Sequence, residues 1–160
     1  MFKTLEKIRD LLKETFGTVF KEYVIDDPNL VPFSSLPLIA VAPIHTDIDV
    51  VDTGRDTFTY AIDVILIIDA KQELLKYKKE MVGTQFLTEI MEARDDNGNL
   101  QANTILYVLR NNLTLGSNWY IENISSIDYS LRTRTTEGGE QFVTKEAACR
   151  LSVIQVTTRS

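Results

Sequence analysis

Apolar residues at Phe2, Leu5, Ile8, Leu12 and Phe16 follow one another at steps of three and four, with Lys3, Lys7, Asp10 and Lys13 between them. That period winds one apolar stripe along a helix, and Gly17 supplies a residue able to end it. Val19, Phe20, Tyr23, Val24 and Ile25 then lead into a stretch carrying Pro28, Pro32 and Pro37, which predicts an irregular, extended connector. The run from Leu36 to Pro43 is apolar and fenced by prolines, as suits a short buried strand. From His45 to Val51 polar and apolar positions alternate, and Asp52-Thr53-Gly54-Arg55-Asp56 reads as a turn. Phe58, Tyr60, Ile62, Val64, Leu66 and Ile68 then share one face of a long strand, with Ile65 and Ile67 covering the other face at its far end. Together these segments predict an antiparallel hairpin.

Helical spacing returns at Asp69. Asp69-Ala70-Lys71-Gln72 has the spacing of a capping box, and Leu74, Leu75, Met81, Val82, Phe86 and Ile90 line one side of a helix reaching Ala93. After the turn residues Asp95 to Asn99, a shorter helix carries Ile105, Leu106 and Leu109 inward and is ended by Gly116. The remainder alternates as a long hairpin. Trp119, Ile121, Ile127, Tyr129 and Leu131 mark its first arm, and Val143, Ala147, Cys149, Leu151 and Val153 the return, with Gly138-Gly139 at the tip. From Arg132 to Lys145 both faces are polar, so that outer third is expected to project. The expectation is an α+β fold: a mainly antiparallel β-sheet with helices packed on one face and a long projecting C-terminal β-hairpin.

At 160 residues the chain fits one domain, 1–160. A single cysteine and a single histidine exclude a disulfide or a Cys/His zinc cluster within the chain. The charged N-terminus lacks the apolar stretch of a signal peptide, and no apolar run is long enough to span a bilayer. The reading is a protein made and kept in a cytoplasm, with no membrane partner. Charge is unevenly placed: Asp26 to Asp69 holds eight Asp, no Glu and only Arg55 as a base, or -7 of the net -6, leaving +1 elsewhere. Such a segment gives no electrostatic drive toward a phosphate backbone.

Catalytic chemistry finds little to work with. Any Ser–His–Asp or Cys–His arrangement must use His45, which reads as an ordinary surface residue, and no G-x-S-x-G elbow occurs. Cys149 falls on an inward strand position and reads as a small buried hydrophobe. Neither a Walker-type nor a dinucleotide-type glycine loop is present, and no cofactor is expected. Asp47 and Asp49 share a strand face, with Asp52 and Asp63 nearby. Such a group can hold a hard divalent cation, or can simply be alternating acid on the solvent side of an antiparallel strand. The hairpin arm, with Arg132, Arg134, Glu137, Glu140 and Lys145, reads either as a solvated surface hairpin or as an edge that adds to a neighbour.

The order of these elements resembles the tail terminator proteins of long-tailed bacteriophages. The resemblance is carried by the strand Leu36-Pro37-Leu38-Ile39-Ala40-Val41, the acidic strand Asp47-Ile48-Asp49-Val50, the turn at Thr53-Gly54, and the strand Phe58 to Leu66 with the helix after it. The N-terminal helix and final hairpin fit the same layout. The resemblance implies a structural virion protein without enzymatic activity, placed at the tail–head junction and assembled in the host cytoplasm. It implies a homo-oligomer, a hexameric ring that caps the tail tube protein, ends tail polymerisation and offers a surface to the head completion or connector protein. DNA would pass through such a ring without specific binding. An acidic lumen would keep phosphates from sticking, so Asp47, Asp49, Asp52 and Asp63 are the candidate channel-facing acids, and Arg132, Arg134, Glu137, Glu140 and Lys145 the candidate subunit-contact hairpin. Two alternatives stand beside it: another neck or tail-completion subunit, and a small metal-dependent enzyme using Asp47, Asp49 and Asp63.

Overall fold

The N-terminal periodicity becomes helix α1 (Phe2–Phe16) in the computed structural model, which describes residues 1–31, 33–70 and 82–158. Leu5, Ile8, Leu12 and Phe16 are buried along it, while Phe2, at its first turn, lies outside the packed stripe. Gly17 ends the helix at φ +52°, a left-handed conformation that glycine adopts without steric cost, and its N–H bonds Lys13 O. Strand β1 (Glu22–Ile25) follows, then a connector, then strand β2 (Leu38–Asp52) and strand β3 (Arg55–Asp69). Helices α2 (Val82–Glu92) and α3 (Ile105–Asn111), the short strand β4 (Thr114–Gly116), and the long strands β5 (Trp119–Thr135) and β6 (Gln141–Thr158) complete the chain.

The strands form one sheet in the order β1-β2-β3-β6-β5-β4, antiparallel throughout except for the parallel pair β1–β2. The architecture is the expected α+β class, with β5 and β6 paired as a long hairpin. Strands β1 and β4 had no clear signature, because four- and three-residue strands are too short to show alternation. A parallel pair needs a crossover, and the connector between Ile25 and Leu38 provides it.

Both faces of β3 are covered, as its sequence implied. On one face Ile62, Val64, Leu66 and Ile68 meet α1, Leu87 and Met91 of α2, and Ile105, Val108 and Leu109 of α3. Full burial of such aliphatic side chains contributes about 1.5–3 kcal/mol each, so this layer holds the helices to the sheet. On the other face Val31 and Leu36 of the connector close over Leu38, Ala40, Ile65 and Ile67. Ile105 and Leu109 of α3 are buried as expected, and the differences on the two helices are confined to single positions. Val108, rather than Leu106, is fully buried on α3, and Leu87 and Met91 are the deepest residues of α2, with Phe86 and Ile90 beside them. Thr104 caps α3, its Oγ1 accepting from Tyr107 N–H at 3.2 Å. The capping box at Asp69 cannot be compared beyond Asp69 itself, which ends β3 opposite Thr144, since Lys71, Gln72, Leu74, Leu75 and Met81 lie outside the described residues.

The outer third of the hairpin departs from a free arm. β6 pairs with β3 as far as Asp69 opposite Thr144, and Val31 N–H bonds Thr135 O at 3.1 Å. Only the turn and the ends of its two strands extend past β3. Polar composition hid this anchorage, because it is made by buried ion pairs rather than apolar packing.

Candidate functional site

The residues singled out in the sequence lie at opposite ends of the sheet. At one end is the β2–β3 hairpin. Pro43 lies opposite Ile62, and the pairing slips at Ile44, so that His45 faces Ala61. Pro43 has no N–H to give, and a proline in a strand is accommodated at such an edge or bulge. The slip decides which face each later side chain takes, because one extra residue inverts the alternation. Beyond it Ile48 lies opposite Phe58 on the helix-bearing face, and Val50 lies two residues on. His45, Asp47 and Asp49 take the other face, opposite Ala61, Thr59 and Thr57. The result is an amphipathic hairpin end, with Ile48 63% and Val50 62% exposed on one side and carboxylates on the other.

The four candidate acids do not act as one group. His45 Nε2 lies 3.2 Å from Asp47 Oδ2, both groups exposed. Asp52 accepts from Gly54 N–H at 2.7 Å and shapes the turn. Asp63 is buried and accepts from Nε and Nη2 of Arg150, both at 2.8 Å. It sits opposite Ala42, four positions along β3 from Thr59, the partner of Asp47. That offset is about 13 Å, too far for Asp47 and Asp63 to share an ion. No group of three or more His, Cys, Asp or Glu suited to a metal occurs among the described residues.

At the other end the candidate contact residues divide. Arg134 turns inward and donates to both carboxylate oxygens of Glu146, Nε at 2.7 Å and Nη2 at 2.6 Å. Its Nη1 donates to Asp27 Oδ1 at 2.6 Å and to Pro28 O at 3.0 Å, tying the connector to the hairpin. Burial opposes the charge on Arg134, but the hydrogen bonds to Glu146 and Asp27 outweigh it and hold the guanidinium more firmly protonated than usual. Thr144 Oγ1 also bonds Glu146 Oε2. Arg132 stays more than half exposed, 3.8 Å from Asp27 and from Glu146. Lys145 reaches across the other face to donate to Thr84 Oγ1 at 3.1 Å. Glu137 and Glu140 remain in solvent at the tip.

Residues that the sequence places on a strand or helix without a functional role complete the picture. Tyr129 and Leu131 are exposed on the helix-bearing face of β5, opposite Ala147 and Lys145 of β6. Partial burial of its hydroxyl end and the neighbouring carboxylate of Glu92, which bonds that hydroxyl, raise the Tyr129 pKa above the usual phenol value. An open groove of about 460 Å³ runs between α3 and β5, lined by Leu106, Arg110, Leu113, Ile121, Glu122 and Ile124 among others. Cys149 is fully buried, and burial, with Asp63 and Glu92 adding to it, pushes its thiol up to about 12. The alternation of Ile48 and Val50 with Asp47 and Asp49 was visible in the sequence, but the slip that assigns each set to a face was not. Compared with known proteins, the chain matches no family model and no curated protein sequence.

Proposed function

We propose that this protein is a structural virion subunit that assembles into a ring on a phage tail tube, ends tail growth and presents a face to the head connector. The observation that carries the reading is the end of the β2–β3 hairpin. It exposes apolar Ile48 and Val50 on one face, Asp47 and Asp49 on the other, and its outer edge has no neighbouring strand among the described residues. A surface of that composition seeks a protein partner on its apolar side and repels nucleic acid on its acidic side. Both properties suit a subunit lining a passage for DNA. The element order that resembles the tail terminators supplies the biological setting.

Electron microscopy of lysates from a phage carrying an inactivated copy of this gene tests the proposal. Overlong tail tubes beside separate DNA-filled heads are the expected result. Tails of normal length that fail to join heads would assign the protein to the neck instead. Ordinary infectious particles would overturn the structural reading.

A further inference from the structure

Strand β5 has a long outer edge with a marked beginning and end. At its start β4 meets it at Trp119 and Tyr120, and Ile121 N–H bonds Leu113 O. At its far end the connector bridges it at Thr135, where Val31 N–H bonds Thr135 O. Between these contacts no described residue pairs with its outer side. The pairing with β6 slips at Ile121/Asn123 and Ile124/Ser126, and such bulges bend a strand. The stretch left both regular and open runs from Ser126 to Arg134, and Ser130 is its midpoint. An open edge of that length offers free N–H and C=O groups to another strand.

The outward groups follow from the contact at Thr135. Successive residues of a strand point their backbone groups to alternate sides. Because Thr135 O points outward to Val31, Ile127, Tyr129, Leu131 and Thr133 also turn N–H and C=O to the open side. Ser126, Asp128, Ser130 and Arg132 turn theirs to β6, and Arg132 O accordingly accepts from Thr144 Oγ1 at 3.4 Å. Side chains alternate in step. Ile127, Tyr129 and Leu131 lie on the helix-bearing face, and Asp128, Ser130 and Arg132 on the other. Leu131 is 64% exposed, and Tyr129, Asp128, Ser130 and Arg132 are exposed with it.

An edge laid antiparallel against its own copy is level with it by symmetry, and the residue on the two-fold axis sets the register. With Ser130 on the axis, Tyr129 of each copy lies opposite Leu131 of the other, and Ile127 opposite Thr133. These outward residues exchange the backbone hydrogen bonds. Asp128 of each copy falls opposite Arg132 of the other, at the positions between those bonds where side chains approach more closely. Moving the axis to Tyr129 sets Asp128 against Ser130, and moving it to Leu131 sets Arg132 against Ser130, so neither shift matches the two charges. Both groups are available. Arg132 stands 3.8 Å from Asp27 and from Glu146, whose close bonds go to Arg134, and the Arg150 beside Asp128 is held by Asp63.

We infer that two copies of this chain join by antiparallel pairing of their β5 edges about a two-fold axis at Ser130, with Asp128 of each copy against Arg132 of the other on one face and Tyr129 against Leu131 on the opposite face. Such a contact uses the same surface twice and stops at two copies. It goes beyond the ring reading: it covers the β5 edge in the free subunit and leaves the end of the β2–β3 hairpin open.

The test uses the full chain. Ser130→Cys puts a thiol on the axis, where facing residues of this kind stand about 4.5 Å apart at Cα, within reach of a disulfide. Under mild oxidation it should cross-link into covalent dimers. Ser126→Cys, an exposed serine on the same face that this register sets against Arg134, should not. Cys149 is fully buried and does not compete. By analytical ultracentrifugation the unsubstituted chain should be a dimer. Asp128→Arg and Arg132→Asp each bring like charges together at two places and should weaken that dimer roughly tenfold or more. An equimolar mixture of the two should regain it, because each supplies the charge the other lacks. Circular dichroism checks that both keep their fold, and if either does not, the cysteine pair decides alone. Cross-linking of Ser126→Cys as readily as Ser130→Cys would overturn the register. Dimers unaffected by both charge reversals, or an unsubstituted chain that stays monomeric throughout, would overturn the contact itself. The tail phenotype above judges the ring separately.

Discussion

Arg134 on β5 grips Glu146 on β6 with two parallel N–H···O bonds of 2.7 and 2.6 Å, and Glu146 is only 2% exposed. The same guanidinium holds Asp27 at 2.6 Å, so one side chain joins the connector to the outer hairpin. Removing one member of a buried pair leaves the other charged and unsolvated, which costs about 3–5 kcal/mol. Arg134→Met should therefore lower stability by about that much in urea denaturation. Combining it with Glu146→Met should cost less than the sum of the two single changes, because the orphaned carboxylate is gone. Additive costs would show that the grip is not coupled.

Cys149 leads to a prediction about alkali. Burial first, with Asp63 and Glu92 adding to it, raises its thiol to about 12, whereas the unfolded chain titrates near the ordinary thiol value. The stabilising difference is fully present below the unfolded pKa and is lost as pH climbs toward the folded one. From about pH 9 to 12 stability should fall by about 1.4 kcal/mol per pH unit from this residue. Tyr23, Tyr60 and Tyr129, raised mainly by burial, add to the loss at the upper end. Urea midpoints at pH 8 and 10.5 should separate clearly, and Cys149→Ala should narrow the gap. In the native state at pH 8 the thiol should resist labelling by an aromatic disulfide reagent.

The lone tryptophan offers a local probe of how α1 meets the sheet. Lys7 Nζ sits 5.1 Å from the Trp119 ring centroid, and a Cβ placed on Gly116 would come within 3.2 Å of Trp119 Cε3. Gly116→Ala should shift the indole and its emission at a cost of about 1 kcal/mol, within the common range for single substitutions. Lys7→Ala should change the emission with a smaller cost, about 0.5–1 kcal/mol. Emission unchanged in both variants would mean the contact does not persist in solution.

The parts of the fold read from the sequence are those set by period. The apolar spacing from Leu5 to Phe16, the alternation from Phe58 to Ile68 and the glycine-tipped hairpin all follow from where water must be excluded. What escaped is long-range. The parallel pairing of β1 depends on a crossover whose partner strand begins at Leu38. The inward turn of Arg134 depends on Asp27, more than a hundred residues away in the chain, and no local pattern separates a buried arginine from a solvated one. Asp63 stands near Asp47 and Asp49 in the sequence, yet Arg150 claims it across the sheet. The face taken by Asp47 and Asp49 hangs on the slip at Ile44, a feature of pairing rather than of composition.

That separation of acids gives the last prediction. Asp47 and Asp49 are exposed, so Asp47→Asn with Asp49→Asn should alter stability by no more than about 0.5 kcal/mol. Asp63→Asn should cost about 1–2 kcal/mol, moderated by the partial exposure of Arg150. If the exposed pair lines a passage for DNA, particles carrying Asp47→Lys with Asp49→Lys should release their DNA more slowly than the parent. The delay should shrink as salt is raised, because screening weakens attraction between lysines and phosphates. The asparagine pair should fall between, with tails of unchanged length. DNA release followed by a fluorescent dye reads all three. Equal rates across the series, at low and high salt, would remove Asp47 and Asp49 from the passage while leaving their place on the hairpin intact.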